Sequence, residues 1–183
     1  ESPTLNIGIA GRLVRVKRVD IFIQAAQHVK EPYQDIQANF HIFGDGPLKS
    51  ELESLSFDLG ADSYVHFHGH TGNLPEELTK LDMILLTSDH EGLPMVLLES
   101  MVCKIPVIAH AVGGIPKLLD HGECGILIDS DVPADYAVAI HELAQSKDLC
   151  SRLTGRAAAR IQEKYSATSN AMAYLDHYRA SCH

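Results

Sequence analysis

No apolar run in these 183 residues approaches the roughly 20 that a membrane-spanning helix needs. Cysteine is scarce and scattered. Cys103, Cys124, Cys150 and Cys182 form neither a CxxC pair nor a zinc pattern, and read as free thiols of a reducing cytoplasm. Cations are the minority charge, with 15 Lys and Arg against 24 Asp and Glu and a formal net charge of −9. That balance argues against non-specific nucleic-acid binding, so an anionic ligand must be met by local cations or backbone amides. Internal repeats, low-complexity segments and linkers are absent from the sequence. The opening ESPTLNIGIAGR has neither an initiator methionine nor a signal-peptide pattern, and reads as the start of a fragment or a processed chain.

What is present is an ordinary globular mixture, 45% hydrophobic and 21% charged, long enough for one α/β domain with a core. Short apolar runs alternate with helical periodicity along the chain. Strands are expected at 5–10, 38–43, 64–67, 82–86, 106–109 and 125–128. Helices are expected at 18–30, 48–59, 74–81, 94–103 and 115–120, then at 134–146, 148–164 and 167–180. The pattern implies an α/β fold: an open parallel six-stranded sheet with helices on both faces, plus C-terminal helices. Such sheets bind ligands beyond the carboxyl ends of their strands, and glycines gather at most of those ends here.

Two strand ends carry chemistry. After the first comes GRLVRVKR, where Arg12, Arg15, Lys17 and Arg18 fall within seven residues. Cations at a strand-to-helix turn suit a phosphate, and a solvated basic turn is the simpler alternative. After the fourth comes HEGLPMVLLES, in which Glu91 and Glu99 bracket seven uncharged residues. Pro94 suits the first helical position, which would leave the N–H groups of Met95, Val96 and Leu97 as an anion site. The segment is apolar nearly all round and reads as a buried helix. A carboxylate only accepts hydrogen bonds, and a vicinal diol offers two donors. The alternatives are an ion pair from Glu99 to Arg12 or Lys17, and a solvated or His90-paired Glu91. Further on, Gly113-Gly114 reads as a close backbone approach to a ligand or as a plain turn. VHFHGH places His66 and His68 on one strand face, Asp129-Ser130-Asp131 reads as a polar turn, and GDGP at 44–47 is a turn signal.

In order, the segments GRLVRVKRVDIFIQA, HIFGDGPLKSELE, VHFHGHTGNLPEEL, DMILLTSDHEGLPMVLLESM, IPVIAHAVGGIPKLL and ECGILI resemble the C-terminal half of the group 1 (family 4) retaining glycosyltransferases. The resemblance runs from Asn6 to Ile128, with a helical tail that fits as well. It implies one Rossmann-like half of a two-domain GT-B architecture, so that residues 1–183 form the donor-binding domain and 165–183 its C-terminal helix. By position, Gly11, Arg12 and Lys17 would meet the donor diphosphate, and Glu91 the hydroxyls of the transferred sugar. Gly92, Leu93 and Pro94 would lie beneath that sugar, with the Met95 and Val96 amides toward the phosphates. Glu99 would hold the ribose diol, and Phe67, His68, Gly69 and His70 would flank the base. Arg12, Lys17 and Glu91 are the groups implied to act in catalysis. Two departures stand out: Ser100 where the family usually has alanine, and Lys104 where it usually has a cap glycine, which implies a strained or reshaped turn.

The implied partners are a UDP- or GDP-sugar donor, an N-terminal domain outside this chain, and a glycan or lipid-linked acceptor. No nucleic-acid partner is expected. Arg12 and Lys17 would replace the metal of Asp-x-Asp enzymes, so no metal or other cofactor is expected. The setting implied is cytoplasmic polysaccharide or lipopolysaccharide assembly, with membrane association only through the full-length protein. The chain alone is expected to turn over little or nothing. A nucleotide-sugar epimerase-like enzyme and a non-catalytic nucleotide-binding module are the competing readings, and a flavodoxin-like domain lacks its flavin loop.

Overall fold

The computed structural model describes residues 4–30 and 36–165. The expected helix at 167–180 lies outside them. Strands β1 (Leu5–Ala10), β2 (Ala38–Phe43), β3 (Val65–Gly69), β4 (Met83–Leu86), β5 (Val107–His110) and β6 (Ile126–Ile128) form one sheet in the order β3-β2-β1-β4-β5-β6. Every pairing is parallel, and Ile7 and Gly8 of β1 lie opposite Met83 and Ile84 of β4. The first three strands step outward one way and the next three the other. The order therefore reverses between β1 and β4, and the crevice beyond those two ends is where an open sheet of this kind takes a ligand.

Alternation of side chains splits the core in two. Ile7, Ile9, Phe40, Ile42 and Leu85 face α1 (Val19–Lys30), α2 (Lys49–Asp58) and α6 (Pro133–Gln145). Ala10, Phe43, Ile84, Leu86 and Val107 face α3 (Leu74–Leu78), α4 (Met95–Val102), α5 (Ile115–Leu118) and α7 (Lys147–Lys164). Strands buried on both faces read as continuous apolar runs, which is why MILL and VIAH stand out in the sequence.

Several expected boundaries move. β3 runs on to Gly69, whose positive φ of 71° turns the chain there, and α3 stops at Leu78, three residues early. Helix α4 begins at Met95. Pro94 is its extended N-cap (φ −73°, ψ 113°), not its first helical residue. Nor is α4 buried all round: Leu97, Ser100 and Met101 face the core, while Met95 and Val102 are exposed. Its end does show the reshaped turn expected of Lys104, which takes φ 57° and stands where a glycine would be unstrained. Lys104 N donates to Met101 O (3.2 Å) and Ile105 N to Ser100 O (2.9 Å), closing both bonds of a Schellman motif.

Helix α7 is tied to the sheet's second face by Arg160. The guanidinium is buried, donates from Nε to Leu118 O (2.8 Å) and from a terminal nitrogen to Lys117 O (2.5 Å), and pairs with Asp120 at 2.7 Å. It thereby satisfies the last carbonyls of α5.

Candidate functional site

The loop after β1 and the loop after β4 meet at the switch point. Residues 15–17 form a single 310 turn that ends on Arg18 in the left-handed region (φ 46°). The β4 loop straps this turn down: Thr87 Oγ1 donates toward the carbonyls of Lys17 and Arg18 (3.0 and 2.8 Å), and Asp89 N donates to Val16 O (2.8 Å). The strap brings Lys17 Nζ to 2.5 Å from Glu91 Oε1, across 74 positions of sequence. The ion pair expected as an alternative for Glu99 is thus made by Glu91, and His90 is not its partner.

The other cations divide sharply. Arg18 grips Asp20 with two nitrogens (3.0–3.2 Å) and reaches Asp89 (3.2 Å), and these two raise its pKa through hydrogen bonds and charge; Asp131 lies at 3.8 Å. It is therefore a structural cation. Arg12 is exposed and makes no hydrogen bond or ion pair among the described residues. With Gly11, Gly44, His70 and Thr71 it borders an open depression of about 490 Å³.

At the start of α4 the amides of Met95 and Val96 have no acceptor among the described residues, whereas Leu97 N donates to Pro94 O (3.1 Å). The expected three-amide site therefore has two members: with Pro94 as the cap, its carbonyl takes the third N–H. Glu99, one turn into α4, is half-buried, and its carboxylate has no hydrogen bond or ion pair among the described residues. A partly exposed carboxylate without a protein donor is open to the hydroxyl donors of a ligand. Gly92 and Leu93 are exposed beside Glu91, while Pro94 is buried.

Two glycine signals have a clearer meaning in three dimensions. A Cβ on Gly44 would sit 1.9 Å from Gly11 O, and one on Gly46 2.4 Å from Leu13 O. GDGP is thus a backbone buttress for the loop carrying Arg12, bonded through Gly11 N to Phe43 O and Leu13 N to Asp45 O (both 2.9 Å). Likewise a Cβ on Gly113 would meet Glu91 O at 1.8 Å and one on Gly114 would meet Gly92 O at 2.1 Å. Gly114 N donates to Glu91 O (3.1 Å), so Gly113-Gly114 holds the Glu91 peptide. His110 at the end of β5 adds a bond from Nδ1–H to Ser88 O (3.0 Å).

The residues expected near a base are dispersed. Phe67 is partly buried and packs against the α1-side core. His70 borders the Arg12 depression, and Gly69 O accepts from Gly44 N (2.7 Å). His68 stacks on Phe43 with ring centroids 4.7 Å apart. It joins His66 and His41, the latter not singled out by the sequence, in a ladder across β2 and β3. His41 Nε2–H donates to Asn6 Oδ1 (3.1 Å), which leaves Nδ1 to accept from His68 at 2.9 Å. Among the described residues no group of three or more His, Cys, Asp or Glu is placed to hold a metal. Ser130 Oγ donates to Asp135, and the Asp129–Asp131 segment leads into α6 as a turn.

Burial, and then the two neighbouring rings, push His41 down from 6.5 to about 4. Between those values the unfolded chain binds a proton that the folded one refuses, so stability rises with pH across that window and is lost on acidification through it. Melting between pH 7 and pH 4.5 should show a loss of roughly 1–2 kcal/mol from this ring after screening of its half-exposed position. His41→Gln should flatten that dependence; an unchanged slope would refute it.

The sheet, with its crevice at the β1/β4 switch point, is a Rossmann-like half of the GT-B architecture. Residues 4–160 match the family described as Glycosyl transferases group 1, and the chain belongs to that family. An alpha-D-kanosaminyltransferase of Streptomyces kanamyceticus is 31% identical over 161 residues, 87% of this chain and 41% of its own length. The C-terminal domain of a glycosyl transferase group 1 family protein (LpcC) from Francisella tularensis has a TM-score of 0.79 at 26% identity, covering 89% of this chain and 87% of that one. TarM of S. aureus, solved with fondaparinux, alpha-GlcNAc-glycerol and UDP, has a TM-score of 0.84 at 27% identity, covering 93% of this chain and 34% of that one. The chain therefore spans less than half the length of the curated relatives it matches. No helix among the described residues is long and apolar enough to cross a membrane.

Proposed function

We propose that this chain is the donor-binding half of a retaining glycosyltransferase that takes a nucleoside diphosphate sugar. One observation carries the reading: Arg12, the Met95 and Val96 amides and the Glu99 carboxylate, all without partners among the described residues, lie on the two segments that follow the neighbouring strands β1 and β4. A single nucleotide sugar satisfies all of them. Arg12 and the two amides take the diphosphate, helped by the positive end of the α4 dipole. Glu99 accepts from the ribose diol, and Glu91 lies toward the sugar.

In the transfer, the bond from the anomeric carbon to the diphosphate oxygen breaks as the acceptor oxygen bonds to that carbon. The acceptor proton passes to the departing diphosphate on the same face, which retains configuration. Charge growing on the leaving oxygens is met by Arg12, Lys17 and the α4 amides, whose fixed positions lower the barrier without a metal. The second wall of the cleft and the acceptor come from the N-terminal domain of the whole protein, and the setting is cytoplasmic glycan assembly. The TarM complex with UDP and the kanosaminyltransferase support the substrate class.

Glu99→Gln tests this. The amide keeps the shape but loses a charged acceptor for two hydroxyls, so UDP and GDP affinity measured by calorimetry should fall about 10-fold. The matching 2′-deoxynucleotide should show almost no further loss in the variant. Equal losses for both nucleotides would take Glu99 off the ribose.

A further inference from the structure

Under the reading above, the Lys17 ammonium serves the diphosphate and the Glu91 carboxylate serves the sugar, yet they hold each other at 2.5 Å with side-chain exposures of 25% and 10%. Both backbones are pinned, Lys17 by Thr87 and Glu91 by Gly114. The two backbones therefore keep the side chains within reach of each other, and one ammonium faces two anions. A diphosphate must either draw Lys17 off Glu91 or share it beside a carboxylate of like charge, and both routes cost affinity. The sugar of an intact donor offsets that cost, because its hydroxyls donate to Glu91 as Lys17 turns to the phosphates. A spent nucleoside diphosphate has no such hydroxyls.

We propose that the Lys17–Glu91 pair is a gate between donor and product. Glu91 competes with the diphosphate for Lys17, and the transferable sugar relieves that competition. Once the sugar has left, Glu91 recaptures Lys17 and loosens the nucleoside diphosphate. The gate rests on the donor-site reading and adds a direction of selectivity to it. Arg12 stands outside the exchange, having no carboxylate partner among the described residues, and so does Asp89, which is engaged by Arg18 at 3.2 Å.

The test is calorimetric titration of the 183-residue chain with UDP, GDP and ADP and with their hexose conjugates. The variants are Glu91→Gln, Glu91→Asp, Lys17→Met, Glu91→Gln with Lys17→Met, and Asp89→Asn. Glu91→Gln is expected to bind the sugar-free diphosphate about 10-fold more tightly, on the scale of one charge-assisted contact, and to lose the preference for the conjugate. Glu91→Asp, which keeps the charge but shortens its reach, should fall between, and serves if the glutamine variant fails to fold. In the Lys17→Met background the glutamine change should gain nothing. An unchanged or weaker affinity in Glu91→Gln overturns the gate and leaves the donor site standing. So does a gain that survives in Lys17→Met, or an equal gain in Asp89→Asn, which would mark a net-charge effect. A wild-type chain that binds no nucleotide overturns both readings together.

Discussion

Gly113→Ala is expected to cost this domain about 3 kcal/mol and to weaken donor binding along with it. Two effects add. The residue sits at φ 56°, where a side chain costs about 1 kcal/mol or more. The new Cβ would also stand 1.8 Å from the backbone oxygen of Glu91, an atom that cannot swing aside as a side-chain tip could. Relief requires the Glu91–Gly92 peptide to move, and the Lys17 pair and the sugar end of the site move with it. Urea unfolding should show the midpoint drop, with Gly155→Ala as the contrast. Gly155 is exposed in α7, and a Cβ there would meet nothing within 4 Å, so alanine should stabilise by up to about 1 kcal/mol. A Gly113→Ala protein as stable as wild type would mean that the buttress is slack.

Arg12→Ala should do the opposite: leave stability alone and remove function. Arg12 makes no bond to other described residues, so its loss should shift the melting temperature hardly at all. A guanidinium on a diphosphate is a charge-assisted, commonly bidentate contact of about 1.5–3 kcal/mol, so UDP or GDP affinity should fall roughly 10- to 100-fold. Arg18→Ala is the informative comparison, because Arg18 is spent on Asp20 and Asp89 and should matter mainly to the fold of the 310 turn. If Arg12→Ala binds nucleotide like wild type, the phosphate is held elsewhere.

These two predictions differ in how much of them the sequence carries. Arg12 is legible because a cation at a strand end in an acidic chain is a local signal. The role of Gly113 is not, because its reason is the oxygen of a residue 22 positions earlier, brought close only by the pairing of β4 with β5. The strands and the two long helices α6 and α7 can be read closely, since apolar runs and helical periodicity are local. Strand order cannot, because it depends on which crossovers pack, and so the switch point that unites the β1 and β4 loops is missing from the sequence. Pro94 reads one residue too far into its helix, because a proline is acceptable both as a first helical residue and just before one. The Lys17–Glu91 pair spans 74 residues and leaves no spacing to recognise. The histidine ladder has only a weak signal: Asn6, His41, His66 and His68 are polar residues on one face of three neighbouring strands.

The Arg160 lock bears on where this unit can be cut. Truncation just before Arg160 would spare every strand and the whole of the Gly113-Gly114 loop, yet it would take the donor from two carbonyls at the end of α5, that of Leu118 buried, and leave Asp120 without its cation. Helix α5 follows directly on the glycines that seat Glu91. Helix α7 thus acts as a guy-rope on a peptide far earlier in the chain, and a minimal unit must include that mooring as well as the last strand.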